Sequence, residues 1–326
     1  MSAAGRGGTG QIGAAQGEGQ NGAARGGEAR NSAARGGAGR DGAGQSGGAQ
    51  GDGQNGAAQD GAPRALAMRE LGDPAGPRVL LLHGGNVAGW MWGPQLPALS
   101  DHAVLVPDLP GFGDSNHLAW TSTAAAADTL ADALGERPAH VVGLSLGAAV
   151  ALQLAARHPH LATSILIASA QVAPPRRRDV LLGRALLLAW ERRGFWESTA
   201  RSYGLRGDDS RQFVETGLGI RRDTARAVLD EVRRGVPDDV LARVHVPALA
   251  LAGGLDSAAI RGESLRRVRA GIPLSRAGVL PGLHHQFTVE APDRFNRLLR
   301  AWLGFAGDHH HSRSHEFSSK ETLQWL

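Results

Sequence analysis

Short apolar runs alternate with segments of helical periodicity over most of the chain. The apolar runs are continuous and end in Gly, Pro or Asp, which is typical of strands buried on both faces of a parallel sheet. Alanine- and leucine-rich segments between them predict helices. This alternation predicts an α/β fold, a mostly parallel central sheet flanked by helices. The predicted strands cover residues 65–71, 78–85, 139–145, 162–170 and 276–282, while residues 102–115 hold a further strand with a Gly/Pro loop and residues 246–257 resume the sheet. The predicted helices begin near Trp92 or cover residues 123–135, 146–159, 263–273 and 292–305.

The alternation stops between residues 172 and 240, where helix-like stretches follow one another without a strand. We interpret this segment as an inserted helical cap over one end of the sheet. It holds 14 Arg against 11 Asp and Glu, with aromatic residues at intervals. These side chains either line a substrate pocket or pack the cap helices onto the core, and the sequence leaves both alternatives open.

The two ends of the chain differ from this central part. Residues 1–62 contain 21 of the 47 glycines and, as large aliphatic side chains, only Met1 and Ile12. Such a segment buries too little apolar surface to offset its ordering entropy, so we expect disorder. Residues 308–326 carry four histidines and the single lysine, and we expect a disordered tail derived from a tag or read-through, with a histidine-rich metal tract as the alternative. Residues 63–307 then form one domain of ordinary size.

Composition excludes several classes of site. The chain has no cysteine, so disulfides, thiolate metal sites and a cysteine nucleophile are excluded. No apolar stretch approaches the roughly 18 residues of a membrane span, and the N-terminus has no apolar signal region. The glycine- and arginine-containing N-terminal segment lacks the aromatics and net charge expected of a nucleic-acid-binding tail. We therefore expect a cytoplasmic protein without a nucleic-acid partner.

Ser145 lies at the centre of the sequence GLSLG, between a predicted strand and a predicted helix. A serine at such a sharp turn is exposed above the sheet edge, and glycines two residues away on each side let strand and helix approach closely. The N-terminus of the following helix favours developing negative charge. In this context Ser145 is a candidate nucleophile, whereas the pentapeptide alone is weak evidence in a chain rich in small residues.

A serine nucleophile needs a base, and the base needs an orienting acid. His284 and His285 follow the last predicted strand, and Asp256 follows the strand before it. The order Ser145, Asp256, His285 matches that expected for a strand–turn–helix nucleophile. Asp256 as a loop-capping residue is the alternative, and His284 is the second candidate for the base.

Backbone amides complete the predicted site. The N–H groups of Leu146 and Gly85 are the candidates for an oxyanion hole, because one follows the nucleophile and the other lies in the loop after an early strand. His83 precedes that loop, and we expect it to tie the turn together by hydrogen bonds. We expect Asp108 and Asp114, in DLPGFGDS, to brace a structured turn.

The segments LLLHGG, DLPGFGDS, GLSLG, LAGGLD and GLHHQFTVEAPDRFNRLLRAWL together resemble the α/β-hydrolase superfamily from about Ala65 to Phe305. The resemblance implies the α/β-hydrolase fold with a helical cap. Members often have a Glu five residues after the catalytic His, which here is Glu290 and indicates His285. His284 stands at the position where members usually have glycine. Some members take the acid from an earlier strand end.

These residues predict a serine-dependent hydrolase of a carboxylic ester, thioester or lactone that needs no metal or cofactor and acts on a small molecule. A serine at the nucleophile position argues against the dehalogenase and epoxide-hydrolase chemistry of an aspartate nucleophile. Carbon–carbon bond hydrolases and cofactor-free peroxidases of the same fold are alternatives implied by the resemblance. A non-catalytic binding protein on this fold is the alternative from a different class.

Overall fold

A computed structural model describes residues 65–202 and 205–311. The predicted N-terminal tail, residues 1–62, lies outside the described residues, as do residues 312–326 of the predicted C-terminal tail.

The core of the described part of the chain is a seven-stranded sheet in the order β1-β3-β2-β4-β5-β6-β7. β1 pairs antiparallel with β3, and the pairs from β3 through β7 are parallel, so the predicted mostly parallel sheet is confirmed. β2, β4, β5 and β6 consist almost wholly of buried residues because helices cover both faces of the sheet. The strands are β1 Met68–Gly72, β2 Arg78–Leu82, β3 Ala103–Pro107, β4 Ala139–Leu144, β5 Ala162–Ala168, β6 Ala248–Gly253 and β7 Ser275–Leu280.

Within residues 65–202 and 205–311, five α-helices flank the sheet or follow its last strands. α2 begins directly after β4, and its buried residues pack against β4 and β5. Ser122 caps α1 by accepting the N–H of Ala125. These helices are α1 Thr123–Leu134, α2 Leu146–Arg157, α8 Leu265–Gly271, α9 Phe287–Glu290 and α10 Pro292–His311.

Between β5 and β6 the described chain contains helices and connecting turns. Their amphipathic sequences bury aromatic side chains among themselves: Trp190 and Trp196 meet edge to face with ring centroids 4.6 Å apart. Gly217 allows this packing, since a Cβ there would lie 2.3 Å from the Trp196 ring. The helices are α3 Arg177–Leu186, α4 Arg193–Ser202, α5 Gly207–Gly219, α6 Arg222–Arg234 and α7 Asp238–Ala242.

Some boundaries differ from the prediction. The helix expected near Trp92 is a 3-10 helix that already begins at Gly89. α9 was not predicted, because four residues are too few to show a helical period. α10 continues to His311, past the predicted domain boundary at Gly307, so residues 308–311 of the tail expected to be disordered are helical, and Gly304 and Gly307 do not end the helix.

Candidate active site

Ser145 occupies the sharp turn between β4 and α2. Its φ of 52° and ψ of −106° are strained for a residue with a Cβ. The turn is held because the Ser145 N–H donates to the Ala168 carbonyl at 2.8 Å, at the end of β5.

Two glycines make this turn possible. A Cβ at Gly143 would lie 2.4 Å from the Gly147 carbonyl oxygen, and a Cβ at Gly147 would lie 2.2 Å from the Leu82 carbonyl oxygen. β4, α2 and the end of β2 therefore approach one another more closely than a larger residue at position 143 or 147 would allow. The flanking glycines of GLSLG thus have the packing role expected from the sequence.

Asp256 and His285 are hydrogen-bonded to each other. The distance from His285 Nδ1 to Asp256 Oδ1 is 2.7 Å. A carboxylate can only accept, so Nδ1 carries the hydrogen and Nε2 of the neutral ring is left as an acceptor. The structure therefore places the two residues in the relationship that an acid and the base it orients require.

The Asp256 carboxylate is also held by two other donors. Its Oδ2 accepts from the Ser169 hydroxyl at 2.6 Å and from the Gly253 N–H at 2.9 Å. Burial by itself would raise the pKa of Asp256. The hydrogen bond and charge of His285, with the bonds from Ser169 and Gly253, outweigh burial and hold this pKa below its usual value.

The loops that carry Asp256 and His285 are tied together by their backbones. The Leu255 N–H donates to the Leu283 carbonyl at 2.9 Å, and the Gly254 N–H donates to the Leu280 carbonyl at 2.8 Å. Gly253 permits this contact, because a Cβ there would lie 2.5 Å from the Leu283 carbonyl oxygen. Asp256 and His285 are thus positioned by two loops that hydrogen-bond to each other.

His284, the second candidate for the base, has a different partner. Its Nδ1 lies 2.9 Å from Glu290 Oε1, and its backbone N–H donates to Glu290 Oε2 at 2.7 Å. His284 and Glu290 thus fasten the start of the loop to α9. This contact does not involve Asp256.

The loop after β2 lies beside the turn that holds Ser145. At Gly84 a Cβ would contact Leu144 and Ser145 at ordinary van der Waals distance, whereas a Cβ at Gly85 would meet no atom within 4 Å. Gly85 and Leu146, the predicted oxyanion-hole residues, both line the same cavity as Ser145.

His83 is fully buried and ties this loop to the next one, as expected. Its Nδ1 donates to the Gly84 carbonyl at 2.8 Å, and its Nε2 accepts the Leu109 N–H at 2.9 Å. Burial lowers the pKa of His83, and the Gly84 carbonyl and the Asp108 charge offset only part of this effect.

The expected bracing role of Asp108 is visible as well. Its two carboxylate oxygens accept the N–H groups of Gly89 and Asp114 at 2.7 and 2.8 Å. Asp114 contributes to this turn through its backbone.

Ser145, His285 and the two candidate amides line one cavity of about 670 Å³, which we call the serine cavity. Its volume is in the range of small-molecule sites. Trp190, Phe195 and Trp196 from the helices between β5 and β6 contribute to its wall and pack against one another. The two alternatives for these aromatics, pocket wall and packing, are therefore both realised.

Glu231 of α6 also lines the serine cavity and links the cap to the core. Its carboxylate accepts the Thr123 N–H at 2.7 Å and the Thr123 hydroxyl at 3.1 Å, at the start of α1. Burial raises the pKa of Glu231 more than these hydrogen bonds lower it.

Sequence reasoning missed Ser169 and Glu231. A polar residue directly after a buried strand was a usable signal for Ser169, because β5 neighbours the strand that leads to Asp256. Glu231 is one of many charged residues on the cap helices, and no sequence signal distinguishes it.

Within the described part of the chain, no grouping of three or more His, Asp or Glu side chains is arranged to hold a metal ion. Over the same residues, no helix combines the length and apolarity that crossing a bilayer requires.

The comparisons with known proteins agree with this fold. The chain is similar to a pimeloyl-[acyl-carrier protein] methyl ester esterase of Aeromonas hydrophila, with 28% identity over 70% of this chain and 96% of the relative. Among solved structures it is similar to a hydrolase from Pseudomonas aeruginosa, with a TM-score of 0.63 and 26% identity over 73% of this chain and 94% of that one. A thermophilic esterase from Thermogutta terrifontis gives a TM-score of 0.62 and 26% identity, covering 74% and 93% of the two chains.

The model of the alpha/beta hydrolase family matches residues 79–298, which extend from the second residue of β2 into the first two turns of α10. The matched region contains Ser145, Asp256, His285, Gly85 and Leu146. Together with the relatives named as esterases and hydrolases, it confirms the expected resemblance and the expected class of enzyme. The chain belongs to the alpha/beta hydrolase family.

Proposed function

We propose that this protein is a serine-dependent hydrolase of small carboxylic esters, thioesters or lactones, with Ser145 as nucleophile, His285 as base and Asp256 as the acid that orients His285. The observation that carries the proposal is the 2.7 Å bond between Asp256 and His285, because His285 also lines the cavity that contains Ser145. The esterase names of the relatives support the same reaction class.

In this mechanism, Nε2 of His285 takes the Ser145 hydroxyl proton as the oxygen attacks the ester carbonyl carbon. The resulting tetrahedral intermediate collapses when His285 returns the proton to the leaving alcohol, and an acyl-Ser145 ester remains. Water, deprotonated by His285, then attacks the carbonyl carbon of this acyl ester, and His285 returns the proton to the Ser145 oxygen as the bond between that oxygen and the acyl carbon breaks. The products are a carboxylic acid and the regenerated serine.

The backbone amides of Gly85 and Leu146 stabilise the negative oxygen of both tetrahedral intermediates. Leu146 is the first residue of α2, so the helix dipole adds to the effect. Gly85 has open space where a side chain would stand, which leaves room for a substrate carbonyl close to its N–H.

Asp256 remains ionised and stabilises the imidazolium formed on His285. The depressed pKa of Asp256 is consistent with this role, since a carboxylate that stays charged at neutral pH best stabilises a cation beside it.

The test is hydrolysis of a series of p-nitrophenyl esters, from acetate to decanoate, by the wild type and Ser145→Ala. We expect turnover by the wild type and a loss of at least about 10³-fold in kcat for Ser145→Ala. A serine-dependent burst of p-nitrophenol would reveal the acyl-enzyme. Full activity of Ser145→Ala would refute the proposal, and so would the absence of serine-dependent turnover on every ester tested.

A further inference from the structure

Four of the seven exposed large apolar residues in the described part of the chain lie close together in the cap. Leu181, Leu182 and Leu186 belong to α3, and Leu188 lies in the 3-10 turn that follows it. These side chains are 66, 61, 42 and 77% exposed, and we call them the leucine patch. Single exposed leucines are ordinary, whereas a cluster of them on one short segment marks a contact surface.

The packing of the cap does not account for the leucine patch, because α3 packs through its other face. Gly183 faces α6, where a Cβ at this position would lie 3.3 Å from the Leu229 side chain. Leu187, four residues after Gly183, is buried. A helix on a protein surface needs apolar side chains on its packed face alone, so the outward leucines have no partner within the described chain.

Arginines flank the leucine patch. Residues 176–193 contain six Arg against two acidic residues. Arg177 precedes Leu181 by four positions and Arg184 follows Leu181 by three, so these two arginines share the outward face of α3 with that leucine. The surface therefore combines an apolar centre with basic side chains at its margin.

Ion pairs neutralise only part of this positive charge. Arg184 and Arg193 each contact an acid of a neighbouring helix, at 3.5 and 2.7 Å, and Glu191 contacts an arginine of α6 at 3.3 Å. The formal charges of Arg178 and Asp179 cancel. Three further arginines are exposed and form no ion pair with any described residue: Arg176, Arg177 and Arg192.

We propose that the leucine patch docks this protein on the surface of an anionic lipid bilayer. The leucines enter the boundary between headgroups and acyl chains, and the arginines at the margin lie at the level of the lipid phosphates. Anionic lipids complement the unpaired arginines, which a neutral bilayer does not. α3 has ten residues, too few to cross a bilayer, so the contact is confined to the surface.

A second copy of the chain fits this surface less well than lipid does. The outward face from Arg177 to Leu188 is roughly 18 Å long and 10 Å wide, far less than the roughly 800 Å² that each partner of a stable protein interface buries. A two-fold contact through this face also brings the arginines of both copies together. A bilayer needs no such area, because lipids adapt to the side chains that enter it.

Leu186 connects the leucine patch with the serine cavity. It belongs to the patch and also lines the cavity that contains Ser145. Docking through the patch therefore brings the lipid surface next to a wall of this cavity. Lipid binding is measured without catalysis, so it can fail while the proposed hydrolase function holds, and the reverse.

The test is co-sedimentation of the full chain with sucrose-loaded vesicles, made either of phosphatidylcholine alone or of equimolar phosphatidylcholine and phosphatidylglycerol. We expect binding to the anionic vesicles that weakens as salt is added, and at least about tenfold weaker binding to the neutral vesicles.

The leucines are tested by Leu181→Ser combined with Leu188→Ser. This variant should bind anionic vesicles at least about tenfold more weakly, because two apolar side chains no longer enter the bilayer. Leu274→Ser is the matched control, since Leu274 is 36% exposed and lies outside the cap, and it should bind as the wild type does. Circular dichroism and thermal unfolding report that each variant is folded.

The arginines are tested by Arg176→Gln combined with Arg177→Gln. Binding to anionic vesicles should fall by roughly tenfold, and binding to neutral vesicles should not change. The matched control combines Arg69→Gln with Arg269→Gln, two exposed positions outside the cap, and changes the net charge by the same amount. It should retain the binding of the wild type.

The proposal is overturned if the wild type does not sediment with anionic vesicles, or if the leucine variant binds them as tightly as the wild type. Equal losses in a variant and its matched control overturn it as well. A dimer in light scattering that dissociates in the leucine variant, without vesicle binding by the wild type, would assign the leucine patch to a second copy of the chain.

Discussion

The Ser169 hydroxyl donates to Oδ2 of Asp256 at 2.6 Å, on the opposite oxygen from the one that binds His285. The two oxygens thus have different partners, and the plane of the carboxylate is fixed. Ser169 is fully buried and has a φ of 49°, a left-handed conformation that is uncommon for serine. A strained residue beside Asp256, the proposed orienting acid, indicates a positioning role for Ser169.

Replacing Ser169 by Ala should lower kcat by about 10- to 100-fold with little change in KM, because one charge-assisted hydrogen bond to Asp256 is lost. It should also raise the pKa of Asp256, since the Ser169 hydroxyl stabilises the charged form. Steady-state kinetics on a soluble p-nitrophenyl ester measure the first effect, and titration of Asp256 by NMR measures the second.

Ser169→Gly separates the hydrogen bond from backbone strain. Glycine adopts positive φ without cost, so this variant should unfold at a higher temperature than Ser169→Ala. Its kcat should nevertheless be as low as that of Ser169→Ala, because both lack the hydroxyl. Normal kcat in Ser169→Gly would show that Ser169 serves the backbone alone.

Asp256→Asn should reduce kcat by about 10³- to 10⁴-fold while the fold is retained. An amide at this position can donate to His285 Nδ1 and thereby favours the tautomer with the hydrogen on Nε2, where it cannot accept the serine proton. Stopped assays over long times, with Ser145→Ala as the background, quantify the residual rate. A loss below tenfold would assign the orienting role to another acid.

The positions of the strands along the chain and the residues at their ends were predictable, because both depend on local sequence. The apolar runs before Ser145 and Asp256 are strands β4 and β6, as the pattern indicated. A parallel sheet brings the carboxyl ends of its strands to one edge, which explains why residues after β4, β6 and β7 lie close together although they are distant in sequence.

The partners that tune the site were not predictable in the same way. The contact of Ser169 with Asp256 spans 87 positions and that of Glu231 with Thr123 spans 108, so both depend on tertiary packing. The pairing of His284 with Glu290 also needed the turn into α9, a helix too short to show periodicity. Local patterns specify the strands and helices, and the details of the site follow from how these elements pack.

Gly147→Ala should destabilise the protein by several kcal/mol, or prevent folding, because its Cβ would lie 2.2 Å from the Leu82 carbonyl oxygen. Gly85→Ala is the matched control, since a Cβ there meets no atom within 4 Å. Thermal unfolding should show a large decrease in Tm for the first variant and almost none for the second. Equal Tm values would contradict the close approach of α2 to the end of β2.

The buried His83 predicts a loss of stability on acidification. Its Nε2 accepts the Leu109 N–H, so protonation would break this bond and place a charge in the core. The unfolded chain binds this proton near pH 6.5, whereas burial lowers the pKa of His83 in the folded protein. Between the two pKa values the unfolded state binds more protons than the folded state. The contribution of His83 to the free energy of unfolding is therefore complete above about pH 6.5 and falls as the pH decreases below it.

His83→Gln should be less stable at pH 7, by about 1–3 kcal/mol for the disturbed hydrogen bonds, and should lose less stability between pH 7 and pH 5 than the wild type. Urea unfolding of both proteins at several pH values measures this difference, with the exposed His160→Gln as the control that should retain the wild-type slope. If the free energy of unfolding of His83→Gln changes with pH as steeply as that of the wild type, other groups determine the acid sensitivity.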